Sequence, residues 1–86
     1  MKEITYFYLP YCPYCQQSSA WLEELKQENQ IYNDIPMKRV DESKETELAN
    51  SYDYQLVPTF YIGDEKVHEG VATKEIVKAV LDKAMA

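Results

Sequence analysis

Cysteine is scarce in this chain of 86 residues, which has only Cys12 and Cys15. A secreted disulfide scaffold of this size would carry about four to eight, widely spaced. Stability must come from packing, because a bridge between two residues this close would remove little entropy from the unfolded chain. Positive charge is also short: nine Lys and Arg face fifteen Asp and Glu, for a net charge of −6. Such a surface repels phosphate, so neither nucleic acid nor anionic lipid is an expected partner. No apolar run approaches the roughly 20 residues that cross a bilayer, and the chain does not open on a charged-then-apolar leader. A cytoplasmic location without membrane contact is therefore expected. The two glycines and four prolines stand singly, and no repeat, low-complexity tract or linker breaks the sequence. Residues 1–86 are expected to form a single domain, since a chain this short closes one core at most.

The composition can build that core, with 45% apolar and 13% aromatic residues. Glu3 to Leu9 (EITYFYL) is rich in β-branched and aromatic residues without helical period, which suits a central strand buried on both faces. Pro10 stops it. Pro13 suits a first helical turn, and Ser18, Trp21, Leu22 and Leu25 then recur at helical spacing through a segment ending near Asn29. Met37 to Asp41 predicts a second strand. Asp41 or Ser43 is the expected cap of a second helix with Glu42, Glu45 and Glu47 in its first turn and Leu48, Ala49 and Tyr52 facing inward. Thr59 to Ile62 and Lys66 to Glu69, joined at Gly63-Asp64-Glu65, predict a β-hairpin. Thr73 is a plausible N-cap for a last helix with Ile76, Val77, Val80, Leu81 and Ala84 on one face. The order β-α-β-α-β-β-α implies a four-stranded mixed sheet with helices on both faces.

Cys12-Pro13-Tyr14-Cys15 lies where the first strand gives way to the first helix, the setting in which a C-x-x-C pair reads as redox-active. Two thiols this close on a first helical turn can cycle between dithiol and disulfide. Cys12, at or beside the N-cap, faces unpaired amides and the positive end of the helix dipole, which lower a thiol pKa from its free value of about 8.5. It is the candidate nucleophile. Cys15, nearly a turn further in, is the candidate resolving thiol. Two other readings stay open: a local disulfide without turnover, and a zinc site. Zinc wants about four ligands, and His68 is the only further candidate, so that site would need a dimer. The non-enzymatic rival is accordingly an adaptor or dimeric zinc-binding module.

Cys12-Pro13-Tyr14-Cys15 resembles the glutaredoxin version of the thioredoxin-superfamily active site. Val57-Pro58-Thr59 resembles that family's proline, normally cis, which faces the two cysteines. The resemblance spans nearly the whole chain. It implies the α/β thioredoxin fold, a four-stranded mixed sheet flanked by three helices. It also implies a thiol–disulfide oxidoreductase reducing protein disulfides or glutathione mixed disulfides through Cys12 attack and Cys15 resolution. Val57 would pair its backbone with a bound thiol substrate beside Pro58, and Tyr14 would flank the same groove. The implied partners are disulfide-containing proteins and either glutathione or a flavoprotein dithiol reductase. A monomer without bound cofactor or metal is expected.

Departures from the glutaredoxin pattern bear on the reductant. Glutaredoxins usually have Gly-Gly and then Asp two residues later, holding glutathione at a helix N-terminus. Here the run is Glu69-Gly70-Val71-Ala72-Thr73, so Gly70 and Thr73 are the residues left to hold the tripeptide and the Glu69 carboxylate opposes it. The basic residue expected before the motif is missing from Tyr8-Leu9-Pro10-Tyr11. Lys38, Arg39 and Lys44 are best read as solvated surface charge. Thioredoxin itself is an imperfect model too, because Tyr6 stands where thioredoxins carry a buried carboxylate.

Overall fold

The computed structural model describes all of residues 1–86. Strands β1 (Ile4–Tyr8), β2 (Met37–Asp41), β3 (Thr59–Ile62) and β4 (Glu65–Glu69) alternate with helices α1 (Pro13–Glu28), α2 (Thr46–Asn50) and α3 (Lys74–Met85) in the expected order. The sheet order is β2-β1-β3-β4. Strand β1 runs parallel to β2 and antiparallel to β3, and β4 is antiparallel to β3. This is the thioredoxin fold.

Period-two alternation sorts the sheet's side chains into two cores. Ile4 and Tyr6 of β1, with Phe60 and Ile62 of β3, pack against Leu22 and Leu25 of α1 and Val77, Val80, Leu81 and Ala84 of α3. Phe7, Val40 and Tyr61 point to the other face and meet Ala49 of α2, with Leu48 and Tyr52 half-buried beside them. Helices therefore cover both faces. Burying the large side chains of the first cluster stabilises the fold by about 1.5–3 kcal/mol each. Trp21 is half-buried at the edge of that cluster. No helix is long and apolar enough to cross a membrane.

Local signals fix most element ends. Pro13 occupies the first turn of α1, and the Thr73 hydroxyl caps α3 by accepting from the Ile76 N–H at 3.1 Å. The hairpin turns on Gly63 and Asp64, with Ile62 opposite Glu65. Gly63 has φ +59 and no non-glycine residue has positive φ, which matches a two-residue hairpin loop with glycine first. Strand β4 consequently begins one residue earlier than expected.

The second helix departs from expectation. Neither Asp41 nor Ser43 caps it; α2 starts at Thr46 after Glu45. The Asp41 carboxylate instead accepts from the Ser43 N–H and hydroxyl at 3.0 and 2.6 Å, closing a turn directly after β2. Asp and Ser favour such local side-chain-to-backbone bonds as readily as helix caps. Glu42 thereby falls outside the helix, and Glu47 is the only acid in its first turn. The 3-10 turn Gln30–Asp34 is an addition; its buried Tyr32 donates to Asp82 of α3 at 2.5 Å.

Register places the candidate site. Tyr8 pairs with Asp41, Phe7 with Thr59, and Thr59 with Glu69. The segments leaving β1, β2 and β4, and the one entering β3, therefore gather at one end of the sheet.

Candidate active site

Cys12 sits at the N-cap of α1 with extended backbone, φ −83 and ψ 119. The lead-in is fixed by the Cys12 N–H bonding Leu9 O at 3.1 Å and by Gln16 Nε2 donating to Pro10 O at 2.9 Å. Both cysteines are free thiols; Cys12 is half-exposed and Cys15 is 1% exposed.

Their acidities diverge. For Cys12, partial burial disfavours the thiolate most, but it is outweighed by the Cys15 amide, the Cys15 thiol and the Tyr14 amide, so the pKa falls below the ordinary value. No cap hydrogen bond ties down the protonated side chain, which leaves the sulfur free to react while the helix amides favour its anion. Burial pushes Cys15 the other way, up to about 12, against the opposing effect of the Leu9 amide. The nearby Glu42 carboxylate raises both thiols. An open cleft of about 260 Å³ is lined by Tyr8, Leu9, Pro10, Cys15, Gln16 and Ser19.

Tyr6 lies directly beneath the motif. Its hydroxyl donates to the Cys15 carbonyl at 3.0 Å and shares a hydrogen bond with Ser19 Oγ at 2.9 Å. Its ring stacks on Phe60 at 4.7 Å and on Tyr8 at 5.4 Å. Burial raises its pKa to about 12. The phenol is neutral at physiological pH and supports the backbone of α1.

The Val57–Pro58 peptide is cis. Pro58 is buried, Val57 half-buried, and the Pro58 carbonyl accepts from the Gly70 N–H at 2.8 Å. Register brings this segment to the same sheet end as the cysteines. Tyr14 is 57% exposed there. Gly70, at φ +93, turns the chain from β4 toward Thr73. His68 braces that turn: its Nε2 lies 3.1 Å from Gly70 O and 3.0 Å from Val71 O. Both partners are acceptors, so this nitrogen carries the proton. Arg39 pairs with Glu23 across exposed surface, and Lys38 and Lys44 are exposed.

Two features were not legible in the sequence. Glu42 accepts from the Tyr54 hydroxyl at 2.7 Å beside the motif, having been expected in a helical turn. Glu69 is not a free carboxylate: it accepts from the Gln55 and Leu56 amides at 2.5 and 2.9 Å and from Lys66 Nζ at 2.7 Å. Its influence on an anionic ligand is accordingly not that of a bare negative charge.

Fold and site together define a thioredoxin-like domain with a Cys-x-x-Cys pair at the start of α1. A thioredoxin family model matches residues 2–86, and the chain belongs to the thioredoxin family. It is 31% identical over 84 residues to protein disulfide isomerase-like 1-4 of Oryza sativa subsp. japonica, covering 93% of this chain. The chain spans only 15% of the length of that relative. Among solved structures, oxidised thioredoxin from Plasmodium falciparum superposes with a TM-score of 0.74 at 22% identity, over 98% of this chain and 81% of that one. Oxidised thioredoxin O1 from Arabidopsis thaliana gives 0.70 at 23% identity, over 96% and 77%. These likenesses speak to the fold.

Proposed function

We propose that this protein reduces protein disulfides by a two-thiol mechanism, as a monomer in the cytoplasm. The Cys12 thiolate attacks one sulfur of the substrate disulfide; that S–S bond breaks, and the other sulfur leaves as a thiolate that takes a proton from solvent. Cys15 then loses its proton to solvent and attacks the Cys12 sulfur of the mixed disulfide. The second substrate sulfur leaves, and the protein holds the new Cys12–Cys15 bond. The substrate gains two electrons, and a reductant must restore them.

The observation that carries this reading is the divergence of the two thiols: an accessible Cys12 with lowered pKa beside a buried Cys15 raised to about 12. That is the division of labour between an attacking and a resolving thiol. Val57 and cis Pro58 at the same sheet end support pairing with an extended substrate.

For the reductant, the surroundings favour a protein dithiol, such as that of a flavoprotein reductase. The Thr73 hydroxyl already caps α3, and no basic side chain lies in the Tyr8–Tyr11 lead-in to meet a glutathione carboxylate. The glutathione alternative draws on the Cys12-Pro13-Tyr14-Cys15 motif itself, with Gly70 and Thr73 as the tripeptide contacts. NADPH-coupled disulfide reduction, run in parallel with glutathione plus its reductase and with a thioredoxin-type reductase alone, decides between them. Cys12→Ser should abolish turnover with either source, and substantial residual activity overturns the mechanism. Cys15→Ser should accumulate a mixed disulfide visible by mass.

A further inference from the structure

The segment Asp53–Val57 leads to cis Pro58 and carries the backbone proposed to meet substrate, yet it forms no backbone–backbone hydrogen bond. Polar backbone groups need partners, and here side chains from β3 and β4 supply them. The Asp53 carbonyl accepts from the Tyr61 hydroxyl at 2.5 Å and from Lys66 Nζ at 3.2 Å. The Leu56 carbonyl accepts from the Thr59 hydroxyl. The amides of Gln55 and Leu56 both converge on one oxygen of Glu69, a two-amide nest of the kind that binds anions. The other Glu69 oxygen takes Lys66 Nζ at 2.7 Å.

A β-bulge makes this arrangement possible. Side chains three apart on a regular strand point to opposite faces. In β4, Lys66 stands opposite Tyr61 and His68 opposite Phe60, so Val67 is the extra residue. The insertion returns Lys66 to the face occupied by Glu69, the face of Thr59 and Tyr61 over which the Asp53–Leu56 segment passes. Burial and charge agree: the Glu69 side chain is 22% exposed, and Lys66, with the two amides, holds its carboxyl down to about 2. The carboxylate stays ionised throughout the physiological range.

We propose that Glu69, assisted by Lys66, is a positioning residue: its carboxylate straps the Gln55–Leu56 backbone to β4 and thereby sets Val57 and Pro58 for the substrate disulfide. This rests on the oxidoreductase reading above. It assigns Glu69 a part in substrate docking in place of simple repulsion of an anionic reductant.

The test compares wild type, Glu69→Gln and Glu69→Ala for KM and kcat with a disulfide-containing peptide and a saturating protein reductase. Amide exchange at Gln55, Leu56, Phe7 and Phe60 is followed in parallel. Charge-assisted hydrogen bonds are roughly twice as strong as neutral ones, so Glu69→Ala should raise KM about tenfold while kcat stays within about twofold. Glu69→Gln keeps an acceptor for both amides and should fall between. Exchange at Gln55 and Leu56 should quicken while Phe7 and Phe60 stay protected, and the Cys12 titration should not move. Unchanged KM in Glu69→Ala overturns the proposal, as does a loss confined to kcat, a displaced Cys12 titration or exchange spread through the sheet. A wild-type protein with no disulfide reductase activity overturns the underlying reading as well; active wild type with unchanged variant KM overturns only the strap.

Discussion

Raising the pH should destabilise the reduced protein through Cys15. The folded state holds this thiol up to about 12 because it is buried, whereas an unfolded chain releases the proton near the ordinary value of about 8.5. Between those values the native state binds one more proton than the unfolded state. Stability then falls with pH by about 1.4 kcal/mol per unit. At pH 10 the loss from this one group comes to about 2 kcal/mol. Cys12 has the opposite sign, since its folded pKa is lowered; its contribution grows as pH rises toward the unfolded value and is constant above it. The difference in unfolding free energy between wild type and Cys15→Ser, both kept reduced, cancels the titrating groups that Cys15 does not influence, and the serine hydroxyl keeps a donor for Cys12. Urea unfolding at pH 7, 8, 9 and 10 should show wild type losing about 2 kcal/mol relative to the variant, or close to 2 M in midpoint for an m-value of about 1 kcal/mol/M. A difference that stays flat to pH 10, or that grows in favour of wild type, refutes the claim that Cys15 is buried as a thiol.

Tyr6→Phe keeps the ring stacked on Phe60 and Tyr8 but leaves the Cys15 carbonyl and Ser19 without the phenol; urea unfolding should show a loss of about 1–2 kcal/mol, and an unchanged midpoint would mean that the hydroxyl contributes no support to α1. The two glycines should separate under alanine substitution. Both have positive φ, but a Cβ at Gly63 meets nothing within 4 Å, while one at Gly70 comes to 3.4 Å from Leu56 Cδ1. The Leu56 side chain is exposed and the contact is an ordinary van der Waals one, so the difference lies in the backbone: φ +93 at Gly70 is further from the left-handed well at about +57 than φ +59 at Gly63. Thermal unfolding should place Gly63→Ala about 1 kcal/mol below wild type and Gly70→Ala further below it; equal costs would show that the backbone at Gly70 relaxes to accept a side chain.

Much of the fold was readable because its signals are local. Thr73 before an apolar period, Pro13 after a strand, and glycine in a hairpin turn each act within a few residues of the feature they specify, and each is found where expected. Asp41 and Ser43 carry the same kind of signal, but residue type does not say which amide the side chain will meet. Asp41 closes a turn on Ser43 and delays α2 to Thr46. The two cysteines were legible because their chemistry depends on the start of one helix. The Glu69–Lys66 strap was not, since it needs a bulge and contacts 13 and 14 residues apart in sequence. The Glu42 carboxylate is likewise brought to the motif by the pairing of β1 with β2, where its amide bonds Tyr8 O at 3.1 Å.

That placement of Glu42 bears on what makes Cys12 acidic. The one charge among the main influences on its acidity is this carboxylate, which opposes ionisation. The thiolate is favoured by neutral groups: the Cys15 and Tyr14 amides and the Cys15 thiol. Amides fixed by a helix need no reorganisation and are little screened by salt at contact distance, unlike a surface cation. The acidity of Cys12, the proposed nucleophile, therefore depends on the first turn of α1 holding its shape. The groups that hold it are Pro13, the Gln16 side chain on Pro10 O, and Tyr6 on the Cys15 carbonyl. Tyr6, standing on the strand beneath where thioredoxins carry a buried carboxylate, thus supports the Cys12 thiol through the helix backbone and adds no charge beside Cys15.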